Sequence, residues 1–408
     1  MNAVREAGNV RRALWIYPWD ILDGGIDEVV NRAANEWGLT ALSLTPSYHN
    51  AKFLLPRRRT ERVFLSGGSA VYFRPDESLY GRGPIRPFVT PRTELLDVLD
   101  RTAEACRRHG LSLRAWTVAL HNSRLGAAHP EAAEVNCFGD PYEWALCPSN
   151  ADARAYASAL VRDLATNHDL DALDVESIGF HGLRHGHHHE LIGISWGAVE
   201  EFLMGLCFCP ACIERAGAAG IDGEALRARV AAVLDARFRD EATMPNDEPA
   251  GEGQIGSLLT QWDDLRRFVQ VRLDTVTSLV EEFKRDALAG TATALALTAS
   301  TFQRGAQNAW LEGMDLRALA KAADEIIILS YFTDPVAVRG DVRFGVECVE
   351  DPDRLVVGMS LLAQGTTSEA NLVEKVAAAR DAGASKFSFY NYGFVSEARL
   401  DWLRALAP

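Results

Sequence analysis

Short apolar runs alternate with longer amphipathic segments along most of the chain. The first run, at 13–17, is followed by a segment at 25–37 whose apolar residues recur three and four positions apart, the period of a helix. The same alternation continues and gives eight strand-like runs, at 13–17, 39–45, 111–118, 171–178, 293–299, 325–331, 354–359 and 386–392. Apolar strands separated by amphipathic helices are typical of a parallel sheet covered by helices.

Eight such units in 408 residues predict a single (β/α)8 TIM barrel spanning 1–408. Long insertions are expected after strands two, three and four, the main ones being 50–91 and 180–256. Within the latter, the Pro-, Gly- and Glu-rich segment 243–253 predicts a loop, followed by one long helix at 258–288. An open doubly wound sheet is disfavoured because no glycine-rich phosphate fingerprint follows the first strand.

Composition narrows the class of protein. The sequence is 48% apolar, which suits a large core, and its net charge of −14 argues against a nucleic-acid partner. It contains no apolar run of about 18 residues, so no membrane span is expected. The polar segment 1–12 has no apolar signal-like stretch, which predicts a cytoplasmic location. Association into a homo-oligomer is left open.

Barrel enzymes carry their sites on the loops that follow the strands, so the residues at the predicted strand ends are informative. They are aromatic, acidic or amide-bearing, namely Trp19, Asp20, Tyr48, His49, His121, Asn122, Tyr331, Tyr390, Asn391 and Tyr392. Aromatic faces stack on sugar rings, while acids and amides bind hydroxyls, so this set predicts a carbohydrate site. For His49, His121, Asn122, Tyr331 and Asn391, simple packing at the barrel mouth is an equal alternative.

Predicted strand four carries two acids, Asp174 and Glu176. Residues two apart on a strand share a face, so both carboxylates are expected to point into the barrel. We interpret Glu176 as a general acid whose pKa Asp174 would raise by like-charge repulsion. The alternative is that one or both acids pair with an arginine such as Arg114.

A cysteine motif follows strand four, Cys207-Phe208-Cys209-Pro210-Ala211-Cys212. Structural Zn²⁺ is held by four ligands in a tetrahedron, and Cys147 is the candidate for the fourth, with His189 or a neighbouring histidine as the alternative. The histidine-rich segment 181–190 predicts a solvated loop. A second metal site that uses His185, His187 or His189 with Glu190 is the other interpretation.

The order of an acid-bearing strand four and a Cys-x-Cys-x-x-Cys motif resembles glycoside hydrolase family 42, the β-galactosidases. In that family an upstream cysteine in a Cys-Pro-Asn-Ser-Pro-like segment completes a structural zinc site, and Cys147-Pro148-Ser149-Asn150-Ala151 is similar. Glu176-Ser177-Ile178-Gly179 resembles the family's acid/base segment. The resemblance covers 144–217 by motif and implies a barrel glycosidase with Glu176 as acid/base and zinc held by the four cysteines.

Two departures from the family leave the second catalytic group open. Val175 stands where the family has Asn, and strand seven with its loop, 356–364, lacks the nucleophilic Glu. Asp20 or Asp334 acting on a water is one possibility. An acetamido group of the substrate is another, as in chitinase-type barrels, although Ala172 replaces an expected acid.

Three functions follow from these patterns. The first is a glycoside hydrolase that cleaves a small oligosaccharide or glycoside. The others are a non-catalytic sugar-binding barrel and a metal-dependent hydrolase or lyase that uses the 181–190 histidine loop.

Overall fold

The structure is a computed structural model that describes residues 11–183, 191–194, 196–240, 248–299 and 305–406. Eight parallel strands form its centre, and each overlaps a predicted run. They are β1 Arg11–Ile16, β2 Ala41–Tyr48, β3 Ser112–Val118, β4 Ala172–Glu176, β5 Ala294–Thr298, β6 Glu325–Leu329, β7 Leu355–Ser360 and β8 Lys386–Tyr390.

The sheet closes on itself. β1 pairs in parallel with β2 through Ala13–Ala41 and with β8 through Ala13–Ser388, and every other strand pairs with its neighbours in chain order. β7 is buried along its whole length, as expected for a strand covered on one side by helices and on the other by the barrel interior. The predicted (β/α)8 barrel is therefore confirmed.

Helices surround this barrel. They are α1 Pro18–Gly24, α2 Ile26–Asn35, α3 Val98–His109, α4 Ser123–Ala128, α5 Ala151–Asn167, α6 Ala198–Met204, α7 Pro210–Ala218, α8 Gly223–Asp240, α9 Glu248–Gln261, α10 Asp263–Glu282, α11 Leu316–Ala322, α12 Pro335–Val349, α13 Glu369–Asp381 and α14 Glu397–Asp401. Shorter helical turns are Glu77–Tyr80, Thr93–Leu95, Pro130–Ala132, Phe283–Ala287, Ala306–Glu312, Pro352–Arg354 and Trp402–Leu406. No helix of the described ranges is long and apolar enough to cross a membrane.

Local chemistry explains where several helices begin and end. The Asn150 side chain accepts hydrogen bonds from the backbone N–H groups of Asp152 and Ala153, which fixes the start of α5. Gly110 ends α3 with a φ of 72°, a left-handed conformation that glycine adopts without a steric penalty.

Three helices differ from the sequence prediction. The expected loop at 243–253 is wrong from Glu248 onward, because α9 begins there; 241–247 lies outside the described residues. The long helix expected at 258–288 is instead two helices, since α9 ends at Gln261 and α10 begins at Asp263. The helix α12 lies between β6 and β7, where the sequence analysis assigned no helical segment although a (β/α)8 barrel requires one.

The connections after β2, β3 and β4 are the ones that build the barrel mouth. The segment after β2 contains the paired strands Lys52–Leu54 and Val63–Leu65, and the short strand Ala70–Val71 pairs with β2 itself. After β3, the strands Ala133–Val135 and Pro141–Leu146 form an antiparallel pair, here called the β3 hairpin. The helices α6 to α9 follow β4.

Candidate active site and cysteine cluster

Asp174 lies inside the barrel and is fully buried. Its Oδ1 accepts hydrogen bonds from Arg114 Nε at 2.8 Å and Nη2 at 2.5 Å, and Ser43 Oγ donates to Oδ2 at 2.6 Å. Burial opposes the charge on Arg114, but Asp174 and Glu325 outweigh it and raise the pKa of the guanidinium. The position of Asp174 therefore agrees with the arginine pairing that the sequence left open.

The ion pair extends across the barrel floor. Arg114 Nη2 donates to Glu325 Oε2 at 2.9 Å, and the other oxygen of Glu325 accepts from Arg11 at 2.7 Å and from Lys386 at 2.8 Å. Although burial favours the neutral acid, Arg114 and Arg11 hold the pKa of Glu325 well below its usual value. We call these five residues, Arg11, Arg114, Asp174, Glu325 and Lys386, the charged layer.

Glu176 is half-buried at the end of β4, two residues beyond Asp174. Burial raises the pKa of its carboxyl to about 7; the neighbouring Trp116 and His181 oppose this shift and Asp174 adds to it. Ser177, which follows it, has a φ of 59°, an uncommon left-handed conformation for a residue other than glycine. The chain therefore presents Glu176 from a constrained strand end as an acid that keeps its proton near neutral pH.

An aromatic cluster surrounds this acid. We call four of its members the mouth cluster: Tyr17, which directly follows β1, Tyr48 on β2, Trp116 on β3 and Tyr390 on β8. The Tyr17 ring centroid lies 4.9 Å from that of Tyr48 and 5.2 Å from that of Trp116, and the Tyr17 and Tyr390 hydroxyls are 3.2 Å apart. Burial raises the pKa of Tyr17 and Tyr48 well above the usual value. These phenols are neutral hydrogen-bond donors at physiological pH and unsuited to act as anionic nucleophiles.

Two other predicted sugar contacts lie beside the mouth cluster. Trp19 is buried and stacks between Tyr17 and Phe64, with ring centroids 4.6 Å from each. Tyr331 stacks on Tyr390 at 5.8 Å, and burial, with help from Tyr390 and Glu176, raises its pKa well above the usual value. Tyr331 thus lies close enough to Glu176 for the two side chains to interact electrostatically.

The predicted histidines form a row above strands β2 to β4. His49 stacks on His121 with centroids 4.2 Å apart, and His121 lies 5.2 Å from His181. Burial lowers the pKa of His49 to about 4. His49 is therefore a neutral imidazole that can donate or accept a hydrogen bond at physiological pH.

The two predicted amides and Asp334 are engaged with the backbone. Asn122 Oδ1 accepts from Leu125 N at 2.9 Å and caps α4, while Asp334 accepts from Val336 N at 2.9 Å and caps α12. Asn391 is fully buried, and its Oδ1 accepts from Gly393 N at 2.8 Å. These contacts are those of packing and capping residues.

Asp20 lies in the wall of a surface cleft of about 410 Å³ that also contains Arg57, Arg58 and Glu397. Burial raises the pKa of Asp20 to about 7, against the opposing effect of Arg57 and Arg58. A β-carbon on Gly393 would lie 1.9 Å from Asp20 Oδ2, so only glycine fits against this carboxyl.

Four buried cysteines form a compact cluster. Cys147 Sγ lies 3.5 Å from Cys212 Sγ, 3.6 Å from Cys209 Sγ and 3.8 Å from Cys207 Sγ. Tetrahedral Zn–S bonds of about 2.3 Å would separate the sulfurs by about 3.8 Å, so the cluster fits a tetrathiolate metal site. Burial raises the pKa of the Cys147 and Cys207 thiols, which is why a metal cation is needed to hold them as thiolates. The four cysteines expected from sequence therefore come together and could bind a metal ion.

Some of the sequence analysis falls on residues that the structure does not describe. The segment 184–190, with His185, His187, His189 and Glu190, lies outside the described ranges, so the second metal site proposed there stays a prediction.

Sequence reasoning missed Trp116, which lies beside Glu176, and Glu134, which contacts His181. Trp116 lies two residues after Arg114 on β3, so strand alternation places both on the interior face. Glu134, on the β3 hairpin, is buried and accepts a hydrogen bond from His181 N at 2.8 Å. Alternation along β3 could have revealed Trp116, whereas nothing in the sequence around Glu134 indicates its partner.

Comparison with known proteins agrees with the closed barrel at the level of the fold. No protein-family model matches the chain, and no curated protein is significantly similar to it. Solved structures do match. The PgaB (BpsB) glycoside hydrolase domain from Bordetella bronchiseptica is 15% identical with a TM-score of 0.57, over 97% of this chain and 98% of that one.

Two longer enzymes also align. A β-galactosidase from the psychrophilic Marinomonas ef1 is 10% identical with a TM-score of 0.57, over 97% of this chain and 58% of that one. An α-L-fucosidase isoenzyme 2 from Paenibacillus thiaminolyticus is 11% identical with a TM-score of 0.52, over 93% of this chain and 45% of that one. The chain thus spans less than two thirds of either enzyme, and these likenesses establish a fold shared with glycoside hydrolases.

Proposed function

We propose that this protein is a glycoside hydrolase in which Glu176 is the general acid. The observation that carries the proposal is the environment of Glu176. It is a half-buried carboxyl at the end of β4 whose pKa is raised to about 7, and it lies among aromatic side chains at the mouth of a barrel. The fold shared with glycoside hydrolases supports this reading.

The chemistry of glycoside cleavage matches this environment. The leaving oxygen needs a proton donor, and a donor is most effective when its pKa lies near the working pH. Tyr48 and Trp116, which border Glu176, supply aromatic rings and hydrogen-bond donors of the kind that sugar rings and hydroxyls require. Glu176 in this setting can be protonated in the free enzyme and give its proton to the glycosidic oxygen.

The nucleophile in this proposal does not come from strand seven, since 356–364 contains no acid. Asp174 is not available either, because Arg114 and Ser43 occupy its oxygens. We therefore assign Asp174 to holding the barrel interior and not to catalysis. A water, with Asp20 as the candidate base, or a group of the substrate itself remains to attack the anomeric carbon.

The test is hydrolysis of nitrophenyl glycosides by the wild type and by Glu176→Gln. The panel contains galactosides, glucosides, arabinosides, fucosides and N-acetylglucosaminides in both anomers. We expect one class to turn over, and Glu176→Gln to lower kcat/KM about 100-fold to 10,000-fold because the proton donor is lost. The matched control is Glu104→Gln on the exposed face of α3, which should keep wild-type activity.

Two outcomes would contradict this proposal. If no member of the panel turns over while the protein still binds a sugar, the barrel is a binding protein that lacks catalysis. If Glu176→Gln keeps full activity, the protein is an enzyme that uses a different acid.

We further propose that the metal of the cysteine cluster is a structural zinc held by Cys147, Cys207, Cys209 and Cys212. Four thiolates leave no open coordination position, so the metal would join the β3 hairpin region to the loop before α7 and take no part in the reaction.

Metal content tests this assignment. We expect one zinc per purified chain, lost in Cys209→Ser and retained in Cys348→Ser, whose cysteine lies on α12 outside the cluster. Zinc that persists in Cys209→Ser but disappears when the 181–190 histidines are replaced would favour the metal-dependent hydrolase instead.

A further inference from the structure

The β3 hairpin holds two neighbouring residues, His181 and Gly182, in the loop that follows Glu176. Glu134 on its first strand accepts hydrogen bonds from His181 N at 2.8 Å and Gly182 N at 3.5 Å, and its Oε1 lies 3.7 Å from His181 Nδ1. Trp144 on its second strand donates from Nε1 to Gly182 O at 3.0 Å. The His181–Gly182 turn is therefore held from both of its sides by one hairpin.

The same hairpin is fastened to the cysteine cluster. Val135 N donates to Cys207 Sγ at 3.3 Å, and Val135 O accepts from Phe208 N at 2.7 Å. At the other end, Cys147 directly follows the hairpin, and its N donates to Ala132 O at 2.8 Å. Glu134 is thus adjacent to a residue that contacts a cysteine of the cluster, and its carboxylate faces the barrel mouth.

Glu134 and His181 meet in the interior of the protein, away from solvent. The carboxylate is 1% exposed and the His181 side chain 5% exposed. A buried carboxylate is costly unless it is hydrogen-bonded, so Glu134 depends on the N–H groups of His181 and Gly182, and these bonds fix where His181 lies. The other titratable groups facing His181 are Glu176, His49 and His121. Of these, Glu176 is the acid, and His181 lowers its pKa against the effect of burial.

We propose that Glu134 is a positioning residue that holds the His181 imidazole beside Glu176, and that the cysteine cluster fixes Glu134 through the β3 hairpin. Glu134 does not touch the substrate in this arrangement. It acts through His181, which sets the electrostatic surroundings of the proposed acid. Only the consequence for catalysis rests on the proposed function; the contact between Glu134 and His181 does not.

The first test needs no substrate. The Hε1–Cε1 cross-peak of His181 is assigned in NMR spectra by its absence in His181→Asn. Glu134→Gln should move this peak, because the amide places N–H groups where the carboxylate accepted hydrogen bonds. Glu131→Gln, an exposed acid of the same loop paired with His129, is the matched control and should leave the peak in place. If Glu134→Gln does not fold, Trp144→Phe, which removes the hydrogen bond to Gly182 O and keeps an aromatic ring, should move the same peak.

The second test uses any glycoside that the panel identifies. Glu134→Gln should lower kcat/KM about tenfold, since small displacements near the reacting groups are costly. His181 lowers the pKa of Glu176, so a variant in which His181 is no longer held in place should have a higher Glu176 pKa. The loss of activity at alkaline pH should then occur at higher pH. A residue that only supports the fold would lower activity without changing the pH at which activity is lost. The double variant Glu134→Gln/His181→Asn should lose no more activity than His181→Asn alone.

The two tests distinguish a failure of the positioning role from a failure of the proposed function. A His181 peak that stays in place in Glu134→Gln, or moves equally in Glu131→Gln, overturns the proposal, as do losses of activity that multiply in the double variant. A protein that turns over no glycoside contradicts the proposed function, and the NMR result still decides whether Glu134 positions His181.

Discussion

Asp174 and Glu176 lie on the same strand and the same face, yet their surroundings are opposite. Asp174 is fully buried and paired with Arg114, with Ser43 on its second oxygen. Glu176 is nearer the surface but lies among aromatic side chains, and burial raises its pKa to about 7. Two carboxyls about 7 Å apart along a strand therefore have opposite electrostatic surroundings.

The difference shows that two carboxyls in one barrel can have different roles, depending on whether a charged side chain is bonded to them. A guanidinium that donates two hydrogen bonds to one carboxylate keeps it charged and fixed, which suits a structural role. A carboxyl that is buried without a guanidinium bonded to it keeps its proton to higher pH, which suits an acid catalyst. Sequence spacing placed both acids on one face but could not distinguish these roles.

The largest expected effect on stability comes from the paired acid. Asp174→Asn removes the carboxylate that Arg114 needs, although Glu325 remains as a partner, and we expect the free energy of unfolding to fall by about 3 kcal/mol. Urea unfolding measures this loss. An exposed ion pair serves as control: Asp235→Asn, whose partner Arg239 lies 4.0 Å away, should change stability by less than about 0.5 kcal/mol. Equal effects of the two variants would contradict a structural role for Asp174.

A smaller effect of opposite sign is expected at Glu176. Its folded pKa of about 7 exceeds the unfolded value, so the folded protein binds more protons and loses stability as the pH rises toward 7. Glu176→Gln has no such loss. We expect it to match the wild type near pH 4 and to be more stable by about 1–2 kcal/mol at pH 8. Thermal unfolding at both values measures the difference, and a variant that is less stable at pH 8 would mean that the carboxylate is stabilised by a partner.

The eight strands could be predicted because each is a short apolar run between amphipathic segments, and the parallel barrel follows from their alternation. The helix α12 was missed because its valines and glycines have low helix propensity, while tertiary packing decides its structure. Its buried residues Val338, Val342, Gly345 and Val349 do follow the helical period. α9 was missed for a similar reason, since Pro249 and Gly251 suggest a loop although proline is tolerated in a first turn.

The parts of the candidate site that could be predicted are those whose functional residues lie close together in the sequence. The cysteine motif and the strand-four acids are visible as spacings in the sequence. The partner of Asp174 could be named only as an alternative, and the contact between Glu134 and His181 joins residues 47 positions apart. Such a contact depends on how the β3 hairpin packs against the loop after β4, which no local pattern encodes.

The protonation state of Glu176 can be measured directly by a ¹³C NMR titration of the glutamate side-chain carboxyls, comparing the wild type with Glu176→Gln. The account predicts one carboxyl resonance that titrates near pH 7 and is absent from the variant. If every glutamate resonance titrates below about pH 5, the range of ordinary carboxyls, Glu176 is ionised at neutral pH and cannot be the acid proposed here.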